Sequence, residues 1–288
     1  MERLNHVDMK KYTSFRAGGF ADEMLIPESV EELQEALKEV KERNRNVIIL
    51  GNGSNTLIKD TGFSGTIIKL GEGLGHVEVK GETMVCGCQA LLSTVAKAAL
   101  AENLTGFEFA SGIPGSLGGA VFMNAGAYGG EMKQVVESVT LVTRDGEEIK
   151  TLTVDELDMS YRHSIIEETG DIAVSVTIKL EKGDHQSIAS KMAELTKKRN
   201  EKQPVQYPSA GSFFKRPEGY YAGKLVQDAG LKGLSVGGAQ VSELHSGFVI
   251  NKGGATATDI IELMHLVQNI VYDKFKVRLE PEVRILGD

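Results

Sequence analysis

Two glycine-rich runs are the places where this chain could bring backbone N–H groups against a phosphate. The first, Gly51-Asn52-Gly53-Ser54-Asn55, follows the apolar stretch Val47 to Leu50. Glycine leaves no Cβ in the way of an approaching oxygen, and the small polar side chains beside it add donors. Read alone, the run is also what an ordinary Gly/Asn turn looks like. The second run, ASGIPGSLGGAVFMNAGAYGG, is more specific. It sets Ser111, Gly112, Gly115, Gly118 and Gly119 among apolar residues, with Pro114 fixing one turn; the alternative is a tightly turned core loop. No Lys-Ser or Lys-Thr follows these glycines, so the nucleotide-hydrolysing P-loop is excluded. Between GNGSN and the next predicted strand, Thr66 to Leu70, there is no helix, which removes the Rossmann reading. A phosphate-bearing cofactor on some other fold remains, beside the ordinary turn and the core loop.

The six histidines are scattered, and neither His163 nor His245 sits at metal-ligand spacing, so these two are expected to be structural or to support a site from behind its contact residues, and no metal is predicted. Cys86 and Cys88 are one residue apart on a predicted strand, where alternate side chains share a face but rarely reach bridging geometry. They read as unbridged thiols of the core.

The elements that position these runs follow from periodicity. Ser29 with Glu32 forms a capping box ahead of Val30, Leu33, Leu37 and Val40 at helical spacing. Strands are expected at Val47 to Leu50 and Thr83 to Gly87, and a helix from Gln89 to Glu102. A hairpin is expected from Val139 to Thr153, turning at Asp145-Gly146. Ile172, Val174, Val176, Ile178 and Leu180 alternate as in a half-buried strand. Helices are expected over Gln186 to Arg199, Tyr221 to Ala229 (stopped by Gly230) and Thr256 to Phe275, and a strand at LEPEVRIL. The first 180 residues are therefore mixed α+β, with a domain boundary near residue 200.

Composition bounds the classes of partner. With 288 residues the chain can bury about 75% of its unfolded surface, enough for two or three domains without staples. Its net charge of -8 gives no field favouring nucleic acid. MERLNHVDMKKYTSF lacks an apolar segment, and no later run approaches the ~20 apolar residues of a membrane span. A soluble, cytoplasmic monomer with no nucleic-acid or membrane partner is expected.

Together with FRAGG (Phe15 to Gly19), the two runs resemble the flavin-binding half of the UDP-N-acetylenolpyruvoylglucosamine reductase (MurB) family of peptidoglycan synthesis. The resemblance continues through YRHS (Tyr161 to Ser164), KQP (Lys202 to Pro204), AGSFFKRP (Ala210 to Pro217), AGKLVQDAGLKG, HSGFVINKGGATATDI and LEPEVR. It implies an α+β fold with an FAD-binding domain of the vanillyl-alcohol-oxidase type in two lobes, about residues 1–70 and 71–199. A separate substrate domain over 200–279 and a terminal strand, 280–288, returning to the flavin complete the expected arrangement. It also implies non-covalent FAD, NADPH as hydride donor and UDP-N-acetylglucosamine enolpyruvate as substrate. Gly51 to Asn55, Ser111, Gly112, Pro114, Gly115, Gly118, Gly119 and Asn124 would then contact the cofactor.

Three catalytic positions carry over from the resemblance. Arg162 would stabilise charge developing beside the substrate carboxylate, Ser212 would donate a proton, and Glu282 would hydrogen-bond near that carboxylate. Read without the resemblance, Arg162 is a surface arginine, Ser212 a turn hydroxyl, and Glu282 a strand carboxylate with Glu280 on the same face. Tyr161, Lys202, Lys215 and Arg216 are expected at the substrate, the cations at its diphosphate. The family often has Asn where Arg216 stands. Only His163 to Asp171 separates Arg162 from the next strand, so the tyrosine-bearing lid of one branch is absent and the chain resembles the lidless branch. Two other readings stay open on sequence: an oxidase of the same flavin fold, for which GNGSN offers no His or Cys tether, and a nucleotide-sugar binder without turnover.

Overall fold

The computed structural model describes residues 1–288, which form two compact units. The first takes residues 1–4, 23–52 and 65–198; the second takes 5–22, 53–64 and 199–288.

In the first unit the Val30–Glu42 helix starts where predicted. Ser29 is extended, and its hydroxyl accepts from the Glu32 N–H at 3.3 Å. The Glu32 carboxylate reaches one residue further back than a capping box requires, accepting from the Glu28 N–H at 2.8 Å. Leu33, Ala36, Leu37 and Val40 form its buried stripe. Val47–Leu50 runs parallel to residues 66–69 of the Phe63–Lys69 strand, Val47 opposite Thr66. That strand begins three residues before the predicted Thr66. Glu23 is 3% exposed there, a buried carboxylate held by Arg3 at 2.7 Å, Arg43 at 3.2 Å and the Thr66 hydroxyl at 2.8 Å. An unpaired charge at such a site would be costly.

An antiparallel sheet of five strands forms the other part of this unit, in the order Ile149–Thr153, Val136–Val142, Ile172–Lys179, Thr83–Gly87, Val77–Lys80. The predicted hairpin turns at Gly146, φ +78°. The helix expected from Gln89 runs instead over Leu92–Ala101. Residues 88–90 are spent elsewhere: Cys88 N–H donates to Val174, Gln89 N–H to Leu74, and the Ala90 carbonyl accepts from Leu117. A helix cannot propagate through backbone already paired to other segments. Both cysteines are buried free thiols, and burial pushes Cys86 up to about 12 and Cys88 up as well. The His185–Lys202 helix follows.

The second unit holds a four-stranded antiparallel sheet, Ser209–Ser212, Phe248–Asn251, Ala239–Val241, Ser235–Val236. Its helices are Ala222–Asp228 and Ala257–Phe275. The long one is capped by Thr256 and Asp259 in a reciprocal box, and Asp60 accepts from the N–H groups of Ala257 and Thr258 at 2.9 and 2.7 Å. Leu263, Val267 and Ile260 face a core that includes Phe15, Phe213 and Leu57. The terminal strand is shorter than predicted, Arg284–Leu286, and lies parallel to Thr56–Ile58. No helix is long and apolar enough to cross a membrane.

Candidate cofactor and catalytic site

Within the first unit, the start of the first glycine run and the second run meet. A Cβ built on Gly51 would lie 2.7 Å from the Ser116 Oγ and 3.9 Å from the Gly119 Cα. The second run is seated along residues 88–92: Leu92 N–H donates to Gly115, Leu117 N–H to Ala90 and Gly118 N–H to Cys88, at 3.1, 2.8 and 2.9 Å. A Cβ on Gly118 would come within 2.9 Å of the Cys88 Cβ, so the glycine is required by this close seating. Ser111 is tied down by its own hydroxyl, which donates to the Glu108 carbonyl at 2.8 Å. The N–H groups of Asn52, Gly53 and Ser54 take part in no hydrogen bond within either unit. Unspent donors beside glycines fit the anionic bridge of a dinucleotide cofactor.

The second run also anchors the hairpin that carries Arg162. Ser160 and His163 pair reciprocally, N–H to carbonyl, at 3.1 and 3.2 Å, so Tyr161 and Arg162 occupy the tip. Arg162 adopts φ +56°, unusual for a residue with a side chain, and its guanidinium lies 5.1 Å from the Tyr161 ring centroid. Two bonds hold the base of the tip: the Asn124 amide donates to the Ser160 carbonyl at 3.0 Å, and the Ser164 hydroxyl to Phe122 at 2.7 Å. Asn124 also accepts from the Lys133 N–H at 2.9 Å and is fully buried. Both ends of its amide are thus engaged inside the fold, where they fix the arginine hairpin. His163 lies 3.7 and 3.5 Å from Glu167 and Glu168.

In the second unit Gly53 sits at φ +62°, where an added Cβ would be 2.0 Å from the Tyr12 carbonyl oxygen. Its own carbonyl accepts from the Ser14 N–H at 3.0 Å. The Asn55 amide donates to the Glu282 carbonyl at 3.0 Å, and Arg284 N–H donates back to the Asn55 carbonyl. Glu282 N–H donates in turn to Phe213 at 2.8 Å, and Phe214 bridges Pro281. The end of the first glycine run, the Glu282 segment and the Ser212 segment therefore form one hydrogen-bonded series.

A bulge turns Ser212 outward. The pairing of Ser209–Ser212 with Phe248–Asn251 is irregular between Ser209 and Ser212, and Gly211 between them is at φ +77°. Ala210 is buried, so a regular pleat would bury position 212 as well. The left-handed glycine resets the alternation, leaving Ser212 exposed and Phe213 buried. Glu282 is half-buried while Glu280 is exposed, which separates the two carboxylates that sequence left equivalent.

The cations predicted for a diphosphate are less gathered. Arg216 is exposed and stacks on Tyr221, 4.4 Å from its centroid, while Lys202 ends a helix and Lys215 follows Phe214. Sequence reasoning missed Ser116, the buried hydroxyl between the two runs, because nothing in GSLGG distinguishes a bridging serine from a turn residue. His245, expected to be structural or to support a site from behind, is partly buried and engaged within its own turn. The ring accepts from the Gly247 N–H through Nδ1 at 3.1 Å, and burial, with Lys232 adding to it, holds its pKa below the ordinary value.

Residues 21–152 match a family model described as "FAD binding domain", and residues 203–286 one described as "UDP-N-acetylenolpyruvoylglucosamine reductase, C-terminal domain". A UDP-N-acetylenolpyruvoylglucosamine reductase of Alkaliphilus oremlandii is 53% identical over 97% of this chain and 92% of its own length. One of Clostridium novyi is 51% identical over 100% and 93%. The crystal structure of UDP-N-acetylenolpyruvylglucosamine reductase from Thermus caldophilus superposes with a TM-score of 0.86 at 36% identity, covering 99% of this chain and 98% of that one.

Proposed function

The chain belongs to the UDP-N-acetylenolpyruvoylglucosamine reductase family, and from that premise we propose that it reduces UDP-N-acetylglucosamine enolpyruvate to UDP-N-acetylmuramate with NADPH, for peptidoglycan synthesis. The observation that carries this reading is the series Asn55, Glu282, Phe213, Ser212, which joins the first glycine run to an outward-turned hydroxyl and a half-buried carboxylate.

The two runs would hold FAD without a covalent bond: Gly51 to Asn55 and Ser111, Gly112, Pro114, Gly115, Gly118 and Gly119 line them, with Asn124 behind the second, while Tyr161 would contact the substrate. When bound, FAD supplies the hydride carrier between NADPH and the terminal vinyl carbon of the substrate. Negative charge then develops on the carbon bearing the carboxylate. Arg162, preset by its strained hairpin, offers that charge a fixed cation, and loss of one such preorganised donor typically costs about 2.7–4 kcal/mol. Ser212 gives up its proton to that carbon. A serine is a weak acid, but the carbon is strongly basic and the bulge holds the hydroxyl in place. Glu282, half-buried beside the serine segment, would hydrogen-bond toward the carboxylate. Lys202, Lys215 and Arg216 face the diphosphate, and residues 200–279 form the substrate domain of this reading, with 1–199 serving the flavin. A cytoplasmic setting suits the soluble substrate and NADPH.

Ser212→Ala tests the assignment. Bleaching of the bound flavin by NADPH should proceed at the parental rate, while reoxidation by the enolpyruvyl substrate in the absence of oxygen should nearly stop. Equal loss of both half-reactions would contradict the proton-donor role. Reoxidation by oxygen as fast as by substrate would favour an oxidase.

A further inference from the structure

His245 lies one turn away from the serine strand, in a pocket made for its ring. A Cβ on Gly247 would meet the His245 Cε1 at 2.9 Å, so this glycine leaves the space the ring occupies, and Gly223 lies at ordinary contact distance on another side, 3.6 Å. Phe248 packs edge-on against it with centroids 5.0 Å apart. The turn around it is closed at every step. His245 N–H donates to the Ser242 hydroxyl, Phe248 N–H to the His245 carbonyl, Ser242 N–H to Phe248, and the Ser246 hydroxyl to Gly223.

The imidazole supplies the remaining acceptor. Nδ1 accepts from the Gly247 N–H at 3.1 Å, which requires a ring unprotonated at that nitrogen. The carbonyl of the same Gly247 accepts from the Phe213 N–H at 2.8 Å, and Phe248 is the register partner of Ser212. Gly247 and Phe248, which pair with Phe213 and Ser212, are therefore the two residues that His245 fixes, one by hydrogen bond and one by packing. The charged groups nearby are Lys232, the Lys224–Asp228 pair of the Ala222–Asp228 helix, and Glu243 against Gly233. Burial and Lys232 both favour the neutral ring that this bond needs.

We infer that His245 is a positioning residue for Ser212: through Gly247 and Phe248 it sets where the bulged strand presents the hydroxyl. The bulge gives this brace its role, because Gly211 interrupts regular pairing on the N-terminal side of position 212 and the place of the serine is set by its pairing with Phe248 and by the bond from Phe213 to Gly247. Displacement of a reacting group by about 1 Å can cost roughly 100-fold in rate.

This inference rests on Ser212 being the proton donor, and the experiment separates the two claims. FAD-loaded protein carrying His245→Ala, His245→Asn, Ser212→Ala or both alanines is followed in the two half-reactions, bleaching by NADPH and anaerobic reoxidation by the enolpyruvyl substrate. For His245→Ala we expect bleaching at the parental rate and reoxidation slowed about 100-fold. His245→Asn, whose side-chain oxygen can take the Gly247 N–H, should recover most of that loss. In the Ser212→Ala background the histidine substitution should add no further loss, because it acts through the serine. Parental reoxidation in His245→Ala overturns the inference, as does equal slowing of both half-reactions, failure of asparagine to rescue, or independent losses in the double variant. If Ser212→Ala alone reoxidises normally, the proton-donor reading falls and the inference falls with it.

Discussion

Gly53→Ala tests whether the first glycine run is built by backbone geometry. Position 53 has φ +62°, and a side chain in the left-handed region costs about 1–2 kcal/mol. The new methyl would also start 2.0 Å from the Tyr12 carbonyl oxygen, where van der Waals contact needs about 3.5 Å. The obstacle is backbone, so the turn itself must move, and the bond from Ser14 N–H to the Gly53 carbonyl, worth about 1 kcal/mol, is strained or lost. The sum is roughly 3 kcal/mol, or a fall in Tm of roughly 6–12 °C for a protein near this size. The N–H groups of Asn52, Gly53 and Ser54 move with the turn, so flavin retention falls too.

Thermal unfolding of apo and FAD-loaded protein, together with the ratio of flavin to protein absorbance after purification, reads both effects. Gly211→Ala is the control. It shares the left-handed backbone, φ +77°, but nothing lies within 4 Å of the added methyl, so only the conformational cost of about 1–2 kcal/mol applies and flavin content stays at the parental level. A Gly53→Ala protein that melts with the parent and keeps its flavin would refute the geometric argument, as would equal losses at the two positions.

Two further outcomes are expected. Asn124→Ala removes the acceptor of Lys133 N–H and the donor to Ser160, two partly buried bonds worth together about 2 kcal/mol, and loosens the Arg162 hairpin. Stability and substrate reduction should fall while flavin content holds; loss of flavin with stability intact would mean that Asn124 acts on the cofactor instead. Asp60 caps the long helix of the second unit. Partial burial pushes its pKa up, but the N–H groups of Thr258 and Ala257 and the Thr258 hydroxyl outweigh this and hold the carboxyl below its ordinary value. A lowered folded pKa gives stability that is present above the unfolded pKa and lost as pH falls through the folded one. Asp60→Asn should therefore cost about 1 kcal/mol near neutral pH, and urea titrations should show the gap to the parent closing in strong acid.

Much of the secondary structure was legible because it is governed by local patterns. The Val47–Leu50 and Thr83–Gly87 strands, the Gly146 turn and the Thr256-capped helix fall where periodicity and capping put them. The errors share one cause. Residues 89–91 were read as helix, and Gln89 and Ala90 are instead claimed by Leu74 and Leu117; residues 280–282 were read with the terminal strand and instead pair with the Ser212 segment. Those partners are far away in sequence, and no local pattern reports them.

The two glycine runs, with the residues that follow them, were enough on their own to indicate a phosphate-bearing cofactor and to exclude the P-loop and Rossmann alternatives. Motif order supplied the family. Only the tertiary structure decided that Gly51 abuts Ser116, that Asn124 clamps the Arg162 hairpin, that Glu282 rather than Glu280 is withdrawn from solvent, and that a bulge at Gly211 turns Ser212 outward. Each depends on which distant backbone group satisfies a given N–H or carbonyl. That choice is made by the packing of the whole unit, because every buried polar group must find a partner and the chain near it in sequence does not supply one.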